Sequence, residues 1–165
     1  MAIELVNARH SPEARHWLHN VYPFYLHDLS EFQRDIYLLS DEGRWEPDHL
    51  PSWFTEAGAY PFVICDDGVR VGFALVGKRP FPWRSPEADQ RLGEFFILRS
   101  HRGNGVGSRA ALEVFKMFSG VWELYELPLN QGAIRFWRRV IASLGEYGEE
   151  STPDFLRQWF RMEGS

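Results

Sequence analysis

With one cysteine in 165 residues, the chain has no internal disulfide, and no Cys/His cluster has the spacing of a zinc site, so no metal is expected. Cys65 itself ends the apolar run Phe62-Val63-Ile64-Cys65, a setting for a small core residue rather than a nucleophile. No stretch reaches the roughly 20 apolar residues of a membrane-spanning helix. The start, Met1-Ala2-Ile3-Glu4, lacks the basic flank and apolar run of a secretory signal. These absences lead us to expect a soluble, cytoplasmic protein with no membrane partner. Basic charge is also scarce. A formal net charge of −5 argues against a general nucleic-acid binder and mildly favours a cationic partner. No internal repeat or low-complexity tract is evident.

What the chain does have is apolar and aromatic residues, 44% and 16%, enough at this length for one globular domain spanning 1–165. Ile3 to Asn7 reads as a first strand. Ser11-Pro12-Glu13 supplies an N-cap, a first-turn proline and an early acid for a helix. That helix is expected to run to about Tyr22, with Pro23 breaking or kinking it before a second helical piece through Phe24, Leu26 and Leu29. Ser30 to Ala59 mixes acids, aromatics and prolines without clean periodicity and is the first candidate for shaping a substrate pocket. Pro61 to Cys65 and Val69 to Leu75 form a hairpin around Asp66-Asp67-Gly68. Lys78 to Gln90 is a loop, with Phe81 and Trp83 flanking a cleft.

Phe95-Phe96-Ile97-Leu98 suits a strand covered on both faces. A helix with Ala111, Phe115 and Phe118 on one face follows and is expected to end at Gly120. Val121 to Leu127 forms another strand. From about Asn130 a second helix places Ala133, Phe136, Trp137, Val140, Ile141 and Leu144 on one face. The tail, Glu146 to Ser151 and Phe155 to Met162, could close the sheet as two strands, although Trp159 and Phe160 would equally suit a helix.

Between the Phe95 strand and the helix lies Arg102-Gly103-Asn104-Gly105-Val106-Gly107-Ser108. A glycine-rich loop at a helix start aims several backbone N–H groups at one anion, and phosphate is the natural guest. It is not a Walker loop, since no Gly-Lys-Ser/Thr closes it. Glycines at 103, 105 and 107, after an antiparallel hairpin, also fail the dinucleotide spacing.

Arg102, Gly105 and Gly107 match Arg-x-x-Gly-x-Gly, and Asn130-x-x-Ala133-x-x-Phe136-Trp137 opens the next helix after one intervening strand. In both motifs the chain resembles the GNAT superfamily of N-acetyltransferases, over roughly Leu92 to Leu144 in motif and the whole chain in element order. The resemblance implies an α+β fold, a mostly antiparallel twisted sheet of about 6–7 strands flanked by about 4 helices.

By the same resemblance, the N–H groups of Arg102, Gly103, Asn104, Gly105, Val106 and Gly107, with Ser108, hold the pyrophosphate of acetyl-coenzyme A, while the Arg102 side chain contacts it or braces the loop. The pantetheine arm pairs with the main chain at Ile97 and Leu98, and an N–H there faces the thioester carbonyl. Asn130 contacts the pantetheine arm or simply caps its helix. Glu94 stands where many members carry a carboxylate base; without the resemblance it reads as a solvated strand-edge residue. Where the family often has a tyrosine acid, this chain has Trp137, whose indole N–H is not given up. Tyr22, Tyr25 and Tyr125 are the alternatives for that role, each also readable as a packing residue. Asp28, Glu31 and Asp35, with Trp45 and Trp53, form either an acidic, aromatic acceptor pocket or, the plainer reading, a solvated acidic face. The implied activity is acetyl transfer to a primary amine of a small molecule, less readily a peptide, and the missing tyrosine keeps a non-catalytic acyl-coenzyme A binding module as the alternative. Oligomeric state, a homodimer included, is left open.

Overall fold

The computed structural model describes residues 2–33, 35 and 37–164. Strand β1 (Ile3–Asn7) leads through a 3-10 turn to Ser11, whose hydroxyl accepts from the Ala14 N–H at 3.2 Å and caps α1 (Pro12–Ser30). Pro23 does not divide this helix. It lies inside α1, on an exposed face, and the His19 carbonyl that loses its partner there belongs to an exposed residue as well, so water can take the place of the missing N–H. Buried Leu18, Val21, Tyr22 and Leu26 hold both halves against the sheet.

The irregular stretch after α1 contains a two-residue pairing of β2 (Leu38–Leu39) with β3 (Trp45–Glu46) and one helical turn, α2 (Ser52–Thr55). Pieces this short show no periodicity in the sequence. Arg34 and Ile36 of that stretch lie outside the described residues. Strands β4 (Ala59–Asp66) and β5 (Val69–Lys78) form the expected hairpin; Asp67 and Gly68 have φ of 49° and 82°, the left-handed pair that a tight turn of this hand requires. Strand β6 (Gln90–Ile97) begins earlier than its aromatic run suggests. Helix α3 (Val106–Phe115) stops before Gly120, whose φ of 114° is used instead to enter β7 (Gly120–Glu126) beside the Asp89 carboxylate. Helix α4 (Gln131–Ala142) and the strands β8 (Tyr147–Ser151) and β9 (Leu156–Met162) complete the chain, the tail being strand in both pieces.

The main sheet has seven strands in the order β1-β4-β5-β6-β7-β9-β8, antiparallel throughout except between β6 and β7. Alternation along the strands fills two cores. Phe62, Ile64, Ala74 and Val76 face α3 and α4 with Phe115, Trp122 and Ile141, while Val63, Phe73 and Leu75 face α1 and α2 with Leu18, Tyr22 and Trp53. This is the α+β architecture implied by the motifs.

Pairing of β5 with β6 places the later site, and Gly72 leaves no room for a side chain against β6. A Cβ there would stand 2.0 Å from the Phe96 carbonyl oxygen, which cannot yield without disturbing the ladder. Gly72→Ala is therefore expected to lower the unfolding free energy by about 1–3 kcal/mol, measured by urea denaturation. At the hairpin turn a Cβ on Gly68 would meet nothing within 4 Å, so Gly68→Ala should cost only the left-handed backbone, about 1–2 kcal/mol.

Candidate active site

The parallel strands β6 and β7 pair only at Gln90 with Trp122, Arg91 with Glu123 and Leu92 with Leu124. Beyond Leu92 they part. On the other side of β6 the register jumps from Val76 opposite Leu92 to Leu75 opposite Glu94, leaving Gly93 as an extra, bulged residue. A Cβ on Gly93 would lie 2.7 Å from the Trp53 indole, so packing as well as the bend calls for glycine. Because each helix after a parallel strand starts at that strand's carboxyl end, α3 and α4 both begin at the mouth of the opening.

The glycine loop lies at this mouth. Gly103 and Gly105 have φ of 90° and 84°, and a Cβ on either would meet nothing within 4 Å, so the left-handed backbone rather than crowding selects glycine there. Gly107 differs: its Cβ would stand 3.3 Å from the Phe136 ring. Among the described residues no acceptor takes the N–H groups of Gly103, Asn104, Gly105, Val106, Gly107 or Ser108, so they are free for an anion at the positive end of α3. The Val106 side chain is buried and anchors the helix to the core. The Arg102 side chain turns back: its Nε donates to the Ile97 carbonyl at 2.7 Å and its other end meets Asp28 at 3.0 Å, beside the Arg99–Asp28 pair. It braces the loop, and Asp28 is thereby taken from the acceptor pocket in which its acidity had suggested a place.

Along the open edge, the Leu98 N–H donates to the Val71 carbonyl at 2.9 Å. Strand alternation then turns the N–H groups of Ile97 and Phe95 toward the gap. Asn130 caps α4, its Oδ1 accepting from the Ala133 N–H at 3.1 Å, which leaves its amide NH2 at the cavity wall. Trp137 is buried between Phe95 and Phe115, with ring centroids 5.0 and 6.0 Å away.

The gap widens into a cavity of about 530 Å³ walled by Tyr25, Tyr37, Trp53, Trp83, Tyr125 and Phe155. Trp53 stacks on Phe81 at 4.6 Å, and Trp83 packs edge-on against both. Glu94 projects into this space. It is not a solvated edge residue: burial lifts its carboxyl to about 7, against the opposing pull of the Tyr22 hydrogen bond and the Arg91 charge. Tyr22 donates to Oε1 at 2.7 Å, whereas Oε2 is buried without a partner among the described residues. Burial and the same carboxylate raise the Tyr22 and Tyr25 hydroxyls, so both remain protonated. Glu31 and Asp35 do not line the cavity.

The sequence reading missed Arg91 and Glu126, both of which line the cavity. The only signal was a charge in each of two strands that also carry Glu94 and Glu123. Glu126 ends β7 on the α4 side, in phase with Trp122 and Leu124, and is 5% exposed with neither oxygen partnered among the described residues. Burial, reinforced by Glu149 and opposed by Arg138, raises its carboxyl to about 8. An acid raised on folding holds its proton while the unfolded chain loses it, so stability falls as pH climbs from the usual carboxylate range toward 8. Glu126→Gln should accordingly gain stability over the parent between about pH 5 and 8, on the order of a few kcal/mol at the upper end, by melting curves across that range.

The model of the acetyltransferase (GNAT) family matches residues 19–141, well over half of the chain. No curated protein matches it in sequence. Among solved structures, an acetyltransferase from Thermus thermophilus is similar over 98% of both chains, with a TM-score of 0.66 at 18% identity. The PaiA N-acetyltransferase of Thermoplasma acidophilum, in complex with coenzyme A, has a TM-score of 0.60 at 14% identity over 98% of this chain and 100% of its own. Arabidopsis thaliana Naa50, in complex with the bisubstrate analogue CoA-Ac-MVNAL, has a TM-score of 0.55 at 14% identity with the same coverage. At these identities the likeness concerns the fold. The family match spans the parted strands, the glycine loop and the Asn130-capped helix together, and the chain belongs to the GNAT family of acetyltransferases.

Proposed function

We propose that the chain, acting as one domain, transfers the acetyl group of acetyl-coenzyme A to a primary amine of a small molecule in the cytoplasm. The observation that carries this reading is the meeting, at one opening between β6 and β7, of a free set of backbone N–H groups and a buried carboxyl raised to about 7. In this reading the N–H groups from Gly103 to Ser108 hold the pyrophosphate. The pantetheine arm lies along the edge of β6 left unpaired by β7, within reach of the Asn130 amide. A buried free Cys65 fits a reducing compartment.

The acceptor amine must be neutral to attack. Glu94, directly or through one water, takes a proton from the amine as its nitrogen bonds to the thioester carbonyl carbon. Negative charge then gathers on the carbonyl oxygen, where the Ile97 N–H is the available donor, an interaction worth about 2.7–4 kcal/mol in comparable sites. Collapse of the tetrahedral species breaks the C–S bond and releases the coenzyme as its thiolate. With thiol pKa values near 8.5 that anion is a tolerable leaving group, and water rather than Trp137 protonates it. Tyr22 keeps Glu94 in place and does not serve as the acid.

Two measurements test the reading. Gly105→Glu puts a charged side chain into the cradle where a Cβ meets nothing of the protein, so calorimetry should show coenzyme binding lost while the circular dichroism spectrum is kept. Unchanged binding would mean that the loop is purely structural. With a panel of amines, thiol release should rise with pH through a midpoint near 7. Glu94→Gln should lower kcat by about 10²–10⁴-fold and remove that limb. Coenzyme binding without thiol release for any amine is the outcome of the binding-module alternative, which Trp137 favours.

A further inference from the structure

The charges around the cavity are not alike. Among the described residues that line it, Arg91 is the only arginine or lysine. Its guanidinium lies over the Tyr125 ring, 4.4 Å from the centroid, and one terminal nitrogen donates to the Trp83 carbonyl at 2.6 Å. Its Nε is buried without a partner, and no described carboxylate comes within ion-pair distance. Arg84, which does not line the cavity, also lacks a carboxylate and donates to the Ser85 and Ala88 carbonyls, whereas other arginines have carboxylate partners. Arg99 and Arg102 share Asp28, Arg138 meets Glu149, and Arg157 meets Glu87 and Glu123. A half-buried guanidinium with no anion of its own is poised to receive one.

The bulge decides where that charge acts. In a regular strand, residues three apart point to opposite faces. With Gly93 inserted between Leu92 and Glu94, both Arg91 and Glu94 lie on the face opposite Leu92, toward Tyr22 and Trp53. Their Cα atoms are then roughly 7–10 Å apart, a span that their side chains close over one small molecule. Glu126, in phase with Leu124 beneath α4, stands on the other face of the sheet and does not neutralise Arg91.

Resting on the acetyltransferase reading above, we propose that the acceptor is an amino acid, its amine presented to Glu94 and its carboxylate bound by Arg91, with its side chain against the aromatic wall of Trp53, Trp83 and Tyr37. A single guanidinium matches the single charge and planar fork of a carboxylate. A phosphate dianion would need a second cation where the same face instead offers Glu94. The wall favours an apolar side chain. Arg91 is thus a specificity-determining residue.

The test compares the standard amino acids with their decarboxylated amines, phenylalanine with phenethylamine and leucine with isoamylamine among them, using the full chain and thiol release. The amino acids should be preferred by about tenfold or more in kcat/KM, the scale of one charge-assisted pair. Arg91→Gln should raise KM for the amino acid by a similar factor and leave the decarboxylated amine within about twofold, and Arg91→Lys should recover part of the loss. The assays are run at pH 9, where the influence of Arg91 on Glu94 ionisation no longer matters. Equal loss for both members of a pair would make Arg91 a brace for the Trp83 loop and overturn the proposal. So would efficient turnover of amines without a carboxylate, which leaves the acetyltransferase reading intact. Absence of thiol release with every amine overturns that reading and this inference together.

Discussion

Everything that gives the chain a site depends on two parallel strands ceasing to pair. Strands β6 and β7 share only three residue pairs before they part, and each carries a row of backbone polar groups into the gap. Unpaired strand edges inside a fold are expensive unless a ligand or water completes them. Here the opening is held by features on both sides: the Gly93 bulge seated against Trp53, and the T-shaped packing of Phe95 on Trp137. The same parting brings the starts of α3 and α4 to one mouth, so a helix dipole and a strand edge point at the same volume.

The electrostatics follow from that opening. Glu94 and Glu126 sit on strands flanking a cavity with aromatic walls, and removal from water raises both carboxyls toward neutrality. Glu123 is also fully buried, and it accepts from the Ser85 N–H and the Tyr125 hydroxyl and so ties the 79–89 loop to β7. One carboxylate has its hydrogen bonds completed by the fold and the other two keep oxygens without partners. That contrast separates a structural acid from those facing the cavity.

The glycine loop illustrates a division of labour among glycines and arginines that a motif compresses. Gly103 and Gly105 serve backbone conformation, and Gly107 makes room for Phe136. Arg102, the first residue of the motif, spends its side chain on the Ile97 carbonyl and on Asp28. The loop is therefore tethered both to the end of β6 and to α1, a link between distant segments that no local pattern announces.

Periodicity, turn chemistry and two spaced motifs were enough to place β1, the β4–β5 hairpin, the glycine loop and the Asn130 helix, because each depends on neighbours close in the chain, whereas the tail suited strand or helix until its pairing with β7 decided it. The persistence of α1 through Pro23 was not legible, since it depends on which face of the helix meets water. Nor was the company of Glu94. Its hydrogen bond comes from Tyr22, 72 positions earlier, and its phase relative to Arg91 depends on a one-residue bulge set by the strand beside it. The sequence by itself determined the family, the fold and the position of the glycine loop. Only the tertiary structure decided which charges are buried, which are paired and which face the cavity, because burial and pairing arise between segments far apart along the chain.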